Sequence, residues 1–526
     1  MTNGRLYTQD VAYEGATAVA VANGRIVAVG SDDEILALGG EVVDLNGRCL
    51  IPGLVDAHVH FQWFSLNLQN LDLSETTSLA EALSLIKEKA VGMRPGQWLQ
   101  GRGWAQDNWT DRAFPTAAAL DQIVPHLPVC LRDKSGHAAW VNSTAMRLAE
   151  LTPSTPDPEG GKIQRDERGR PTGILFEEAI GLVMQHVPET TETELVAAME
   201  RGQAYCWERG LTGIHDFDGR ASFQALQTLH QRKDLGLRVV KNIPKYRYEH
   251  AVGVGLRTGF GDEWLRIGGV KMFADGALGP RTAAMIAPYE GEPENRGVVV
   301  TDKEEMYSVA SAASAAGLSV TVHAIGDRAV YDVLDVYAAV RGEEAERGQS
   351  PAQLRHRIEH VQVYHPADLE RLAKYQIIAS MQPIHATADI DMVDRYWGER
   401  GQYSYAFRNI LESGALVVFG SDAPIESIDP LLGLHAAVTR RRANGYPGVE
   451  GWYPEQKLTM AEAVYGFTMA AAITSGQQDD LGSVTPGKLA DFTIFERDIF
   501  ETPADELLEV AVAGTVVGGE FKHRSF

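Results

Sequence analysis

Eight short apolar runs, each closing on a polar or charged residue, constrain this chain more than any other feature. They read RCLIPGLVDAHVH, GLTGIHD, GLRVVKNI, RIGGVKMF, GLSVTVHA, RIEHVQ, IIASMQP and ALVVFGSD. They end near His58, Asp216, Asn242, Lys271, His323, His360, Gln382 and Ser421. Helix-like stretches such as EEMYSVASAASAAG and HPADLERLAKYQ lie between most of them. The second carries Pro366 near its start, where a missing N–H costs little. Strands that alternate with helices predict an α/β chain, and eight parallel strands with crossover helices close into a (β/α)8 TIM barrel.

The rest of the chain is organised around that barrel. The gap between the first two strands is about 150 residues, far too long for a loop. It predicts a subdomain inserted after barrel strand 1, over about residues 65–205. The stretch PSTPDPEGGKIQRDERGRP within it reads as a surface loop or hairpin. The N-terminus reads as β: TAVAVANGRIVAVG holds two apolar runs around Asn23-Gly24, a favoured tight-turn pair. EVVDLNGRCLIPG repeats that pattern around Asn46-Gly47, and LADFTIFE and EVAVAGTVVGGEF supply short strands at the other end. A small β-sandwich built from both termini is expected, from residues 1–51 and 483–526, with the barrel domain over 52–482.

Composition narrows the function classes. The chain has 526 residues and a formal net charge of −23. That balance argues against a nucleic-acid groove or an anionic membrane as partner. No apolar run approaches the roughly 18 residues of a membrane span. The first residues lack the basic and apolar regions of a signal peptide. Three cysteines without a CxxC pair do not make a disulfide framework, so the cytoplasm is the expected compartment.

Catalysis in a TIM barrel sits at the C-terminal ends of the strands. The residues there are His58 and His60, Lys271, His323, His360 and Asp422. Side chains alternate along a strand, so His58 and His60 point the same way and can chelate one ion. Imidazoles with a carboxylate suit zinc and similar divalent metals. The lysine is the odd member, because an ammonium beside cations is repelled. A neutral lysine that captures carbon dioxide becomes a carbamate, whose two oxygens can bridge two ions. The plainer alternatives are a Lys271–Asp275 salt bridge, and Asp422 as a helix N-cap before APIES.

The motifs PGLVDAHVH, GVKMFADGALGPRTA, TVHAIGD, RIEHVQ and FGSDAPI resemble those of the amidohydrolase superfamily. Within it they are similar to the amidohydrolase-3 or YtcJ-like group, which includes N-substituted formamide deformylases. The resemblance spans nearly the whole chain. It implies a binuclear centre in which His58, His60 and Asp422 hold one divalent ion and His323 and His360 hold the other. Carboxylated Lys271 and a hydroxide would bridge them, with zinc foremost among the candidate metals. It further implies hydrolysis of an amide or formamide C–N bond in a small molecule. Asp422 would take the proton from the nucleophile and return it to the departing amine.

Four further residues are candidate substrate contacts: Trp104, His137, Arg281 and His385. Trp140, Trp63, Phe64 and His215 are weaker candidates near the mouth or beneath it. Rival activities are ester, lactone or carbamate hydrolysis, or deamination, and a non-catalytic scaffold is the remaining alternative. A homodimer is the expected assembly.

Overall fold

The computed structural model describes all residues except 107, 108, 111, 134–137 and 159. Eight parallel strands form one sheet: β1 Leu54–Val59, β2 Leu211–Asp216, β3 Arg238–Pro244, β4 Leu265–Phe273, β5 Val320–Ala324, β6 Arg357–His360, β7 Ile378–Met381 and β8 Val417–Phe419. Each pairs with its sequence neighbour, from β1 through to β8. Both faces are covered: all residues of β2, β6, β7 and β8 are buried. That is why β7 and β8 read as apolar runs rather than as alternating ones, while β6 buries charged residues.

The seam between β8 and β1 is closed just beyond the strand ends. Val59 and Ala423 form a parallel bridge. The Asp422 N–H donates to the His58 carbonyl (2.8 Å), and the His60 N–H donates to the Ala423 carbonyl (2.8 Å). The buried Asp56 carboxylate fastens the same seam. It accepts from the Ser421 hydroxyl (2.5 Å), the Ser421 N–H (3.0 Å) and the His58 N–H (3.0 Å). Gly420 is required by this close approach, since a Cβ there would lie 2.5 Å from the His58 nitrogen and 2.7 Å from Asp56 Oδ1. Barrel closure and the placement of His58, His60 and Asp422 are therefore one structural event.

The chain divides into two compact units, Met1–Phe64 with Met199–Phe526, and Ser65–Ala198. The first contains the barrel and two smaller sheets. A five-stranded sheet takes Arg5–Leu6, Cys49–Pro52, Phe492–Phe495, Val512–Val517 and Glu520–Arg524, so both ends of the chain enter it. The hairpin Ala18–Ala22 with Arg25–Gly30 makes a two-stranded sheet. Leu6, Val19, Ile26, Leu50, Phe492, Ile494 and Val516 share one apolar cluster. Asn23 (φ +52°) and Gly24 (φ +76°) take the left-handed turn conformation expected of this pair. Asn46 (φ +48°) and Gly47 (φ +76°) turn in the same way, yet no hairpin follows. Cys49–Pro52 pairs in parallel with Arg5–Leu6 and antiparallel with Phe492–Phe495, while Asp44 bridges Thr2. The turn chemistry was readable, but the choice of partner belongs to distant segments.

The Ser65–Ala198 unit has its own six-stranded sheet, from Leu71–Asp72 to Pro171–Glu177. The Pro- and Gly-rich stretch forms an antiparallel hairpin of Gly161–Arg165 against Pro171–Glu177. Trp104, Trp109 and Trp140 meet at its centre with ring centroids 6.2–6.4 Å apart. The helix preceding β2, Glu192–Trp207, begins in this unit and ends in the other.

Candidate metal centre

The six strand-end residues singled out in the sequence all line one cavity of about 330 Å³. Its other walls include Phe273, Leu278, Ile325, Gln362, His385, Asp389, Ile425 and Glu426. His58 stacks on Phe217 at 4.1 Å, His58 and His360 are 5.0 Å apart between ring centroids, and His323 and His360 are 4.6 Å apart. The backbone leaves ordinary space here. His360 (φ +79°), Val361 (φ +42°) and Asp422 (φ +62°) are in the left-handed region. For a β-branched valine this is unusual, and such strain, about 1–3 kcal/mol per residue, concentrates at functional sites.

Each histidine has one ring nitrogen fixed by a neighbour. His58 Nδ1–H donates to Glu359 Oε2 (2.5 Å) and His60 Nδ1–H to Asp218 Oδ1 (3.1 Å). His360 Nδ1–H donates to Gln382 Oε1 (2.8 Å), and His323 Nε2–H donates to the Gly276 carbonyl (2.8 Å). Such outer hydrogen bonds set the tautomer and leave the other nitrogen as a lone-pair donor. Burial, and next to it the charge of Lys271, holds the His58 ring well below the usual imidazole range. Burial and the neighbouring His323 do the same for His360. His323 is pushed down to about 3 by burial and then by Lys271. Burial opposes the charged form of His60 too, but the Asp218 hydrogen bond and the charges of Asp218 and Asp422 lift it above its ordinary value.

The free nitrogens converge on a carboxylate. Asp422 Oδ1 lies 3.4 Å from His58 Nε2 and 3.6 Å from His60 Nε2. With each Nδ1–H committed to a neighbouring carboxylate, both Nε2 atoms face the same Asp422 oxygen. Burial pushes the Asp422 carboxyl up to about 7, against the attraction of His60 and Lys271. A divalent cation is the group that this donor set fits. Two sets of ligand atoms lie within 4.8 Å of one another, His58–His60–Asp422 and His360–His385–Asp422.

Lys271 is buried on β4, its Nζ 4.5 Å from the centroid of Phe217 and 5.0 Å from that of Phe273. Burial lowers the ammonium to about 8, opposed by Glu359 and Asp422. Asp275 is otherwise engaged, since its carboxylate accepts from the N–H groups of Ala284, Ile325 and Gly326. Nor does Asp422 cap a helix. The next helix is Pro430–Thr439, and its cap is Asp429.

The four expected substrate contacts separate. His385, in the turn of helix just after β7, lines the cavity. Trp104 is instead fully buried in the apolar core of the Ser65–Ala198 unit, where its indole N–H donates to the Leu131 carbonyl. Trp140 packs in the same cluster. Arg281 pairs with Glu292 (2.8 Å) and the Tyr396 hydroxyl (3.4 Å), and does not line the cavity. His137 lies outside the described residues. His215 is buried and accepts from Arg357 Nη1 (3.0 Å).

Residues that sequence reading passed over hold the ligand candidates in place. Glu359 accepts from His58 and pairs with Arg357 and Thr321. Asp218, Gln382 and Asp56 perform the comparable roles described above. The one available signal was Glu359 itself: an acid inside a strand buried on both faces has to be paired.

The amidohydrolase family profile matches residues 41–523. The chain belongs to the amidohydrolase family. It is 33% identical to Protein LONG AFTER FAR-RED 3 of Arabidopsis thaliana, across 99% of this chain and 90% of that protein. It is 31% identical to the putative amidohydrolase YtcJ of Bacillus subtilis, across 98% of each. N-substituted formamide deformylase of Arthrobacter pascens is 28% identical, across 99% of this amidohydrolase and 97% of the relative. Among solved structures, an uncharacterized metal-dependent hydrolase from Pyrococcus horikoshii superposes with a TM-score of 0.80 at 28% identity, covering 96% of this chain and 98% of that one. The expected family is thus the observed one. In this amidohydrolase the His58–His60–Asp422 group is a buried, metal-like site at the barrel mouth.

Proposed function

We propose that this amidohydrolase cleaves the C–N bond of a small amide or N-substituted formamide, using a pair of divalent ions. The observation that carries this reading is the convergence of two fixed imidazole lone pairs on Asp422, with His323, His360 and Lys271 lining the same cavity. The likeness to a formamide deformylase along 99% of the chain supports the choice of bond.

His58, His60 and Asp422 would hold one ion, and His323 and His360 the other. His323 offers Nδ1 and His360 offers Nε2, because their other nitrogens are engaged with Gly276 and Gln382. Lys271 suits a bridging role once its neutral amine adds to carbon dioxide, forming an N–C bond and releasing a proton. The product is an anion that balances the cations around it. A divalent ion in this site supplies Lewis acidity and lowers the pKa of water toward neutrality. Asp422, beside both imidazoles and facing the cavity, accepts the proton of the attacking water. It then delivers that proton to the departing nitrogen, which an amide requires because an amide anion is a very poor leaving group. Glu359 and Asp218 keep His58 and His60 in the tautomer that presents Nε2. Phe273, Leu278, Ile325 and Ile425 give the substrate an apolar wall.

The test is a screen of metal-loaded protein against N-formyl amines, N-acyl amino acids, carbamates, lactones and aryl esters. Amine release from the formyl or acyl amines is the expected result. Turnover confined to lactones or esters would overturn the C–N assignment.

A further inference from the structure

Two buried polar atoms at the cavity, Gln362 Oε1 and His385 Nε2, have no role in this scheme. His385 Nε2 is buried and makes no hydrogen bond to any described group. Its ring lies parallel to that of His360, 5° from coplanar orientation at 6.2 Å between centroids. Asp422 Oδ2 is 3.9 Å away, beyond hydrogen-bond length. The other ring nitrogen is occupied: the Gln362 side-chain N–H donates to His385 Nδ1 (3.4 Å). The Gln362 backbone carbonyl accepts from the Tyr405 N–H (2.8 Å). An imidazole that accepts at Nδ1 carries its hydrogen on Nε2. The orphan atom is therefore a donor, and burying a donor without an acceptor is unfavourable. A protein retains such a group where a ligand supplies the acceptor.

We infer that His385 is a catalytic hydrogen-bond donor to the substrate's acyl oxygen, with Gln362 as the positioning residue that fixes its tautomer. The inference rests on the hydrolase reading and deepens it. When water adds to the acyl carbon, the C=O π pair moves onto oxygen, and a preorganised N–H strengthens its bond as that charge grows. When the C–N bond breaks, the pair returns to re-form C=O. His385 keeps its proton throughout, and Asp422 carries the proton that moves. His360–His385–Asp422 could instead hold an ion, which makes His385 a ligand. The two roles differ in what is lost when the ring is removed.

The experiment uses full-length, metal-loaded protein and the best acyl substrate found in the screen. His385→Ala should retain the wild-type metal content by elemental analysis, leave KM within a few-fold, and lower kcat by about 10²-fold. An N-alkyl methylphosphonamidate mimics the charged tetrahedral state and should weaken in binding by a similar factor. His385→Gln, which restores an N–H near the same place, should recover part of both losses. Gln362→Leu, which frees the tautomer without removing the ring, should lower kcat less and spare the metal. Loss of metal in His385→Ala would overturn the assignment in favour of a ligand role. Unchanged kcat and unchanged phosphonamidate binding in a folded, metal-replete variant would overturn it outright. Wild-type protein inert toward every amide, ester and lactone would defeat the hydrolase reading and this assignment together. Wild-type turnover that survives His385→Ala would defeat the assignment alone.

Discussion

The two ends of the barrel both bury charge, and they treat it in opposite ways. At the N-terminal end Arg238, on β3, meets Asp491 through Nε (2.9 Å) and Nη2 (3.0 Å), both residues buried. The Gly518 N–H donates to the same carboxylate (2.7 Å), and Trp264 lies 3.9 Å beneath the guanidinium. The Nε and Nη2 donors of Arg238 and the Gly518 N–H all find their acceptor on Asp491. At the C-terminal end, His58 and His60 turn lone pairs toward Asp422, and His385 holds a donor with nothing to receive it. A saturated polar network fixes the fold, whereas an unsaturated one awaits a ligand. The distinction lies in bonding, because burial is nearly the same at the two ends.

The comparison breaks first where the effect is largest. Asp422→Asn removes the proton carrier and one ligand, so kcat/KM should fall by at least about 10³-fold while circular dichroism remains that of the wild type. Retention of more than a tenth of the activity would place the chemistry elsewhere. The converse substitution, Arg238→Ala, should leave Asp491 buried and uncompensated, at a cost of about 3–5 kcal/mol by chemical denaturation. Turnover per folded molecule should not change, and a selective loss of kcat would blur the division between the ends. Glu359→Gln lies between these extremes. It weakens the hydrogen bond that orients His58, so metal affinity in a chelator competition should drop by about 10–100-fold.

The smallest effect is a pH dependence away from the site. Glu344 accepts from His356 (2.8 Å), Ser314 (2.6 Å) and Arg341 (2.5 Å). Burial raises its pKa, but the His356, Ser314 and Arg341 contacts outweigh that and bring it from 4.5 to about 2. A carboxyl depressed in the folded state contributes stability that is full above its unfolded pKa and is lost as pH falls through the folded value. Glu344→Gln should therefore be less stable than wild type near pH 6, by about 1–3 kcal/mol, with the gap shrinking from pH 4.5 toward 2. A gap that is constant with pH would show that the carboxylate charge is not what matters there.

Much of the fold was legible because eight largely buried strands leave eight short runs rich in apolar residues. Their polar terminators lie at the end of such a barrel where catalysis sits; strand order placed His58, His60, Lys271, His323, His360 and Asp422 there, the family resemblance made them a ligand set, and they line one cavity. Their supports could not be read in this way. Asp218 meets His60 across 158 positions, and Asp56 meets Ser421 across 365, through contacts that closure of the barrel creates. The aromatic candidate Trp104 failed for a related reason. An indole in a Gly-rich strand reads alike whether it faces a ligand or a neighbouring Trp140. Arg281 likewise gives no sequence sign of Glu292 and Tyr396, which take up its guanidinium.

Anomalous diffraction from crystals of metal-replete protein tests the central claim most directly. Two peaks among His58, His60, Lys271, His323, His360 and Asp422, with density for a carbamate extending from Lys271 Nζ, are the predicted result. No peak there, or a single ion beside an unmodified Lys271 ammonium, would contradict it.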